Sequence, residues 1–185
     1  MFNQKTRTVV LGLAFLTCLA ISFVVNTFFL QGLTDILQNQ EVLQNQLLAV
    51  AMLFVHNVLV VSLIILGMTF YVNLVILNFF KREKYAHIVL EHSRTFALVF
   101  AVVVIFLSIL RGSSLFGGLI IEKLPLILLI SAPMGIVEGY GIYLTIKKTL
   151  SRSMSTKDLI YIYGIFFIAA IIEVGFINLL ILVSS

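Results

Sequence analysis

A chain of 185 residues that is 61% hydrophobic and only 11% charged departs far from a soluble domain, whose composition runs to about half apolar and a quarter charged. The net charge of +4 has its natural source in lysines and arginines that flank membrane spans, and it gives nucleic-acid binding no support. Cys18 is the one cysteine, which excludes an internal disulfide and leaves it a packing role.

The apolar runs predict an all-α fold: a polytopic transmembrane helix bundle of five spans forming a single domain over residues 1–185, with spans at about 8–30, 47–80, 88–110, 124–146 and 159–183. The first run is too long for the apolar core of a cleaved signal and lacks a small-residue cleavage site, so it reads as a retained span. Leu33, Ile36, Leu37, Leu43 and Leu47 then recur at helical spacing among glutamines and asparagines. That pattern fits an outer helix lying in the interface, or a helical extension of a span.

The second run would be about 51 Å long as one helix, well beyond the hydrocarbon thickness, so it is expected to tilt, protrude or break near Gly67. Lys81, Arg82, Glu83 and Lys84 follow, an anchor for anionic headgroups or a docking site for a cytosolic partner. The third run is short and is expected to recruit Ile88, Val89 and Leu90.

Charge sets the orientation. With the N-terminus cytoplasmic and the C-terminus outside, that inner side receives Lys5, Arg7, Lys81, Arg82, Lys84, Arg94, Lys147, Lys148, Arg152 and Lys157, leaving Arg111 and Lys123 outside. A multi-pass protein of the cell membrane follows. Its expected partners are the lipid bilayer and membrane or cell-envelope proteins, and a homo-oligomer is open to it.

Within the spans, ionisable groups carry the signal. Glu138 and Glu173 each sit in an apolar run, at an insertion cost of roughly 2.5–3.5 kcal/mol for a charged side chain at mid-depth, so both are expected to face the bundle interior. Counted from the outer boundary by helical rise, His56 lies about 14 Å deep, Glu173 about 15 Å and Glu138 about 21 Å. Spans two, four and five thus predict a polar cluster near the midplane of His56, Asn57, Asn73, Glu138 and Glu173. Pro133 frees a carbonyl in the fourth span, Gly135 and Gly139 form a GxxxG pair, and Ser131, Gly135, Gly141 and Thr145 share the face of Glu138. Ala169 and Ala170 make room one turn before Glu173.

Four kinds of chemistry compete for this cluster. Hydrogen-bonded carboxyls can fasten helices together. A proton or ion pathway would use the same groups as a relay. His56, Glu138 and Glu173 could ligate zinc, yet no HExxH or other tight ligand spacing is present; neither metal nor cofactor is expected. Acid–base catalysis lacks a serine or cysteine paired with a base.

Phe54-Val55-His56-Asn57, followed by Gly67 and Asn73, resembles the second-span pattern of the stage II sporulation protein M family of integral membrane proteins. Pro133-Met134-Gly135-Ile136-Val137-Glu138 resembles that family's Pro-His-Gly-hydrophobic-hydrophobic-Glu signature, and Ile171-Ile172-Glu173-Val174 resembles the Glu of its last span. Met134 stands where the family typically has histidine, which removes one potential ligand or proton carrier. The resemblance, over roughly residues 45–180, implies a multi-span helical protein. It also implies a membrane platform, since sporulation members act with cell-wall-degrading partners during engulfment. The expected function is a non-enzymatic scaffold or assembly subunit. The alternatives are a transporter or permease-like component for ions or a small solute and, third, an intramembrane metal-dependent hydrolase.

Overall fold

The computed structural model describes residues 4–39, 46–77, 79, 87–114 and 124–184. Within them the chain forms six helices and no strand: α1 (Gln4–Asn39), α2 (Gln46–Ile76), α3 (Ile88–Glu91), α4 (Ser93–Ser114), α5 (Leu124–Leu150) and α6 (Thr156–Ser184). Helix is what such sequences must adopt in hydrocarbon, where every backbone donor and acceptor has to be satisfied within its own segment. Side-chain hydroxyls follow the same rule. Thr17, Ser62, Thr145 and Thr149 each donate to the carbonyl four residues back, at 2.7–2.9 Å.

Among the described residues, Gln4–Val24, Gln46–Ile76 and Thr156–Phe176 are long and apolar enough to cross a membrane, and Ser93–Leu107 is a shorter apolar helix. This is the architecture of a helical membrane protein. The surface agrees: α1 exposes Leu13, Leu16 and Phe23, α4 exposes Val99, Val102 and Phe106, and α6 exposes Ile160, Phe167 and Ile171. A soluble monomer rarely exposes contiguous apolar patches beyond a few hundred Å². Lipid is the solvent that such outer faces suit.

Helices α2, α5 and α6 form the centre, with α1 laid on α2 and α4 on α5. Val61, Ile146, Ile162 and Phe166, all at or below 2% exposure, mark the point where the three central helices meet. The outer helices are seated by glycines. A Cβ on Gly12 would come 3.0 Å from the Phe70 ring, and one on Gly67 would come 2.9 Å from the Phe15 ring. The two helices therefore run antiparallel with reciprocal rings in reciprocal sockets. On the other flank, a Cβ on Gly139 would come 2.8 Å from Ile105 and 3.3 Å from the Ala101 carbonyl oxygen. That glycine lets α4 approach the α5 backbone.

The α5–α6 turn is closed from both sides. Ser153 donates its backbone N–H to the Lys148 carbonyl and Arg152 to that of Thr149, with Arg152 at φ 53°. This is a Schellman stop with arginine at the left-handed position normally given to glycine, at a cost of roughly 1–2 kcal/mol. The next helix opens on a capping box, in which Asp158 N–H donates to Ser155 Oγ while Ser155 N–H and Oγ–H donate to the Asp158 carboxylate. Lys148 ties the two helices with an ion pair to Asp158 at 3.2 Å.

Two open alternatives are decided and one sequence expectation is corrected. The second run does not break at Gly67: α2 is continuous over 31 residues, about 46 Å by helical rise, and the glycine is a socket. Of the two readings of the segment after the first run, its described part takes the helical extension: α1 continues as far as Asn39, while Leu43 lies outside the described residues and Leu47 belongs to α2. Ile88, Val89 and Leu90 do not extend the third span. They form the separate turn α3, which ends at His92, φ −108° and ψ 38°, before α4 starts at Ser93. Lys81, Arg82, Glu83, Lys84 and Lys123 lie outside the described residues.

Candidate intramembrane polar site

Glu138 lies on the inward face of α5. The outward face carries Leu129, Pro133, Ile136 and Tyr140, all exposed, whereas Met134, Glu138, Ile142, Thr145 and Thr149 are buried. This alternation is the periodicity of a helix with one face turned outward and one packed on protein. At 6% exposure, Glu138 is enclosed within the bundle. Pro133 points the other way and leaves α5 unbroken.

The register of α5 against α6 is read from two contacts. A Cβ on Gly141 would come 2.7 Å from the Phe166 ring, and Lys148 meets Asp158 near the turn. Carried outward, that antiparallel register sets Glu138 against Ala169 and Met134 against Glu173. Ala169 and Ala170 are both fully buried, so α6 presents its smallest side chains where α5 presents its carboxyl. Glu173 follows about 6 Å further along the axis, one turn beyond.

Helix α2 completes the site. Leu53 packs on Ala170 and Val174, and the Phe54 ring meets that of Phe167 edge-on at 5.4 Å. Those contacts bring His56 and Asn57 within about one turn of the level of Glu138. Asn57 is 5% exposed and belongs to the inward stripe Leu53–Asn57–Val61, while His56 next to it is half-buried. The Asn57 Nδ2 group is buried and makes no hydrogen bond among the described residues. Such a donor costs about 1–3 kcal/mol unless something accepts from it.

Asn73 stands apart from this tier. Sixteen residues of continuous helix separate it from Asn57, about 24 Å. Its Nδ2 donates to the Thr69 carbonyl at 2.8 Å, and it lines a cavity with Arg7 and Arg152 at the opposite end of α2. Their spacing already separates them on a continuous helix; only a break near Gly67 would have let them share one level, and α2 does not break.

Among the described residues, no three His, Cys, Asp or Glu side chains gather closely enough to hold a metal ion. His56, Glu138 and Glu173 are therefore not a metal-ligand set as placed. The glycines divide their work. Gly139 receives α4 and Gly141 receives α6, while Gly135 is buried on the same helix. The GxxxG contact through Gly139 is thus made within the chain. One further polar group escaped the sequence reading: the Asn178 Oδ1 atom is buried and accepts no hydrogen bond among the described residues. An asparagine five residues past Glu173 in an apolar run was the available signal. No protein-family model, curated protein or solved structure matches the chain.

Proposed function

We propose that the protein is a non-enzymatic scaffold or assembly subunit of the cell membrane. Five spans cross the bilayer, with the N-terminus cytoplasmic and the C-terminus outside, and the intramembrane polar tier fixes the packing of α2, α5 and α6. The observation that carries this reading is the burial of Glu138, 6% exposed, on the face of α5 whose register sets it level with the fully buried Ala169 and Ala170. A carboxyl enclosed by small side chains at a three-helix junction acts as a positional key, because polar groups in hydrocarbon hold helices in the one arrangement that satisfies them. The motifs resembling the stage II sporulation protein M family fall on these same three helices, which supports a platform that presents its outer faces to envelope partners.

A second reading rests on Asn57. Its buried Nδ2 donor, near the level of Glu138, would suit a pathway that passes an ion or small solute between α2, α5 and α6. Proteoliposomes separate the two. The scaffold reading expects no proton or cation flux from wild type or from Glu138→Gln, together with recovery of a defined membrane or envelope partner by crosslinking in native membranes. Flux that disappears in Glu138→Gln would replace it with transport.

A further inference from the structure

At the end of the bundle that holds the start of α1 and the α5–α6 turn lies a cavity of about 640 Å³, in the notch that α1 and that turn leave over α2. Packing needs do not explain its chemistry. Arg7 and Arg152 both line it, Gln4 and Asn73 add amides, and Ile65 and Val72 provide apolar wall; among the described residues its lining includes no acidic side chain. Among the described residues neither guanidinium has a carboxylate partner, since the nearby Asp158 is engaged by Lys148 and Ser155. The C-terminal ends of α2 and α5 each contribute about half a negative charge, which two whole positive charges and the N-terminal end of α1 outweigh. The cavity is therefore built for an anion.

Its shape narrows the anion further. From Ile65 to Ile76 the lining extends over eleven helical steps of α2, about 16 Å, far more than inorganic phosphate fills. The seating of Gly12 on Phe70 and of Phe15 on Gly67, carried toward the N-terminus, sets Arg7 level with Val75. Positive charge thus gathers at the mouth, and Ile65 lies at depth. Arg152 reaches the mouth from a backbone position that glycine would occupy without strain, so the residue present there serves something other than the turn.

We propose that this cavity binds one anionic phospholipid, its phosphate held between Arg7 and Arg152 and the start of its acyl chain laid against Val72 and Ile65. Guanidinium groups suit the task because their fixed fork matches two phosphate oxygens at once.

The test is native mass spectrometry of the detergent-purified full chain, titrated separately with phosphatidylglycerol, phosphatidylcholine and inorganic phosphate. One phosphatidylglycerol is expected to be retained in preference to phosphatidylcholine, with retention falling roughly fivefold in Arg7→Gln and again in Arg152→Gly. Arg152→Gly removes backbone strain, so its unfolding midpoint should rise while lipid retention falls, a pairing that misfolding cannot produce. Lys5→Gln is the control: Lys5 lines a different, mainly apolar groove with Leu13 and Phe70, and its loss should leave retention unchanged. Equal losses in Lys5→Gln and Arg7→Gln would reduce the site to a diffuse basic surface and overturn the proposal. Phosphatidylcholine retained as tightly, or inorganic phosphate displacing the lipid, would overturn it as well.

Discussion

At the level of single residues, two glycines on neighbouring helices carry opposite expectations. A Cβ on Gly139 would press on Ile105 and on the Ala101 carbonyl oxygen, a backbone atom that cannot rotate away, whereas one on Gly164 would meet nothing within 4 Å. Gly139→Ala is therefore expected to destabilise the bundle by about 1–3 kcal/mol through overpacking. Gly164→Ala should instead gain up to about 1 kcal/mol of helix propensity. Thermal unfolding in detergent reads both, and a stabilised Gly139→Ala would mean that α4 does not approach α5 as described. The sequence marked Gly139 as a point of close approach because GxxxG carries that meaning anywhere in a membrane helix. It could not say which helix arrives, since that depends on contacts between residues far apart in the chain. The same limit governed the polar cluster: an inward-facing Glu138 was legible from its small neighbours, but whether Asn73 shares a level with Asn57 turned on the continuity of α2 past Gly67, which the sequence left open.

Whole elements show a division between a fixed core and an appended helix. Helix α1 packs chiefly on α2, and the reciprocal seats of Phe15 on Gly67 and Phe70 on Gly12 hold it there. A leucine at Gly67 would displace the Phe15 ring along with the helix that carries it. We expect Gly67→Leu to raise hydrogen exchange along α1 while α5 and α6 keep their protection, because their own junction around Phe166 and Ile162 does not involve α1. Exchange rising equally in all helices would show that α1 is integral to the core. This role of Gly67 was invisible in the sequence, where a glycine near the middle of an overlong apolar run reads as one place where the run can break. Only the ring across from it reveals the socket. Helix α3 was missed for a related reason: Ile88–Leu90 is apolar enough to continue a span, and the turn at His92 that interrupts it has no glycine or proline to announce it.

For the whole molecule, orientation follows from which ends of the helices lie together. Each of the pairs α1–α2, α4–α5, α5–α6 and α2–α6 runs antiparallel by its contacts. Lys5, Arg7, Arg94, Lys147, Lys148, Arg152 and Lys157 consequently gather at one end. The class of the protein was readable from composition because lipid tolerates apolar surface in every direction. The gathering of charge was readable as well, since it depends on the order of spans and not on their packing. If α2 and α6 cross the bilayer, α5 packed between α4 and α6 crosses with them, and α4 alongside it does too, which gives five crossings with α1. Cysteine labelling tests this in a Cys18→Ser background. Ser153→Cys, exposed at the basic end, should react with an impermeant maleimide only after permeabilisation, and Leu47→Cys, exposed at the far end of α2, should react in intact cells. The reverse pattern would invert the protein, and labelling of both from one side would mean that α2 does not cross. If Ser153→Cys reacts in intact cells, the arginine-lined cavity faces the outer leaflet, and the anionic lipid proposed for it would have to be sought there.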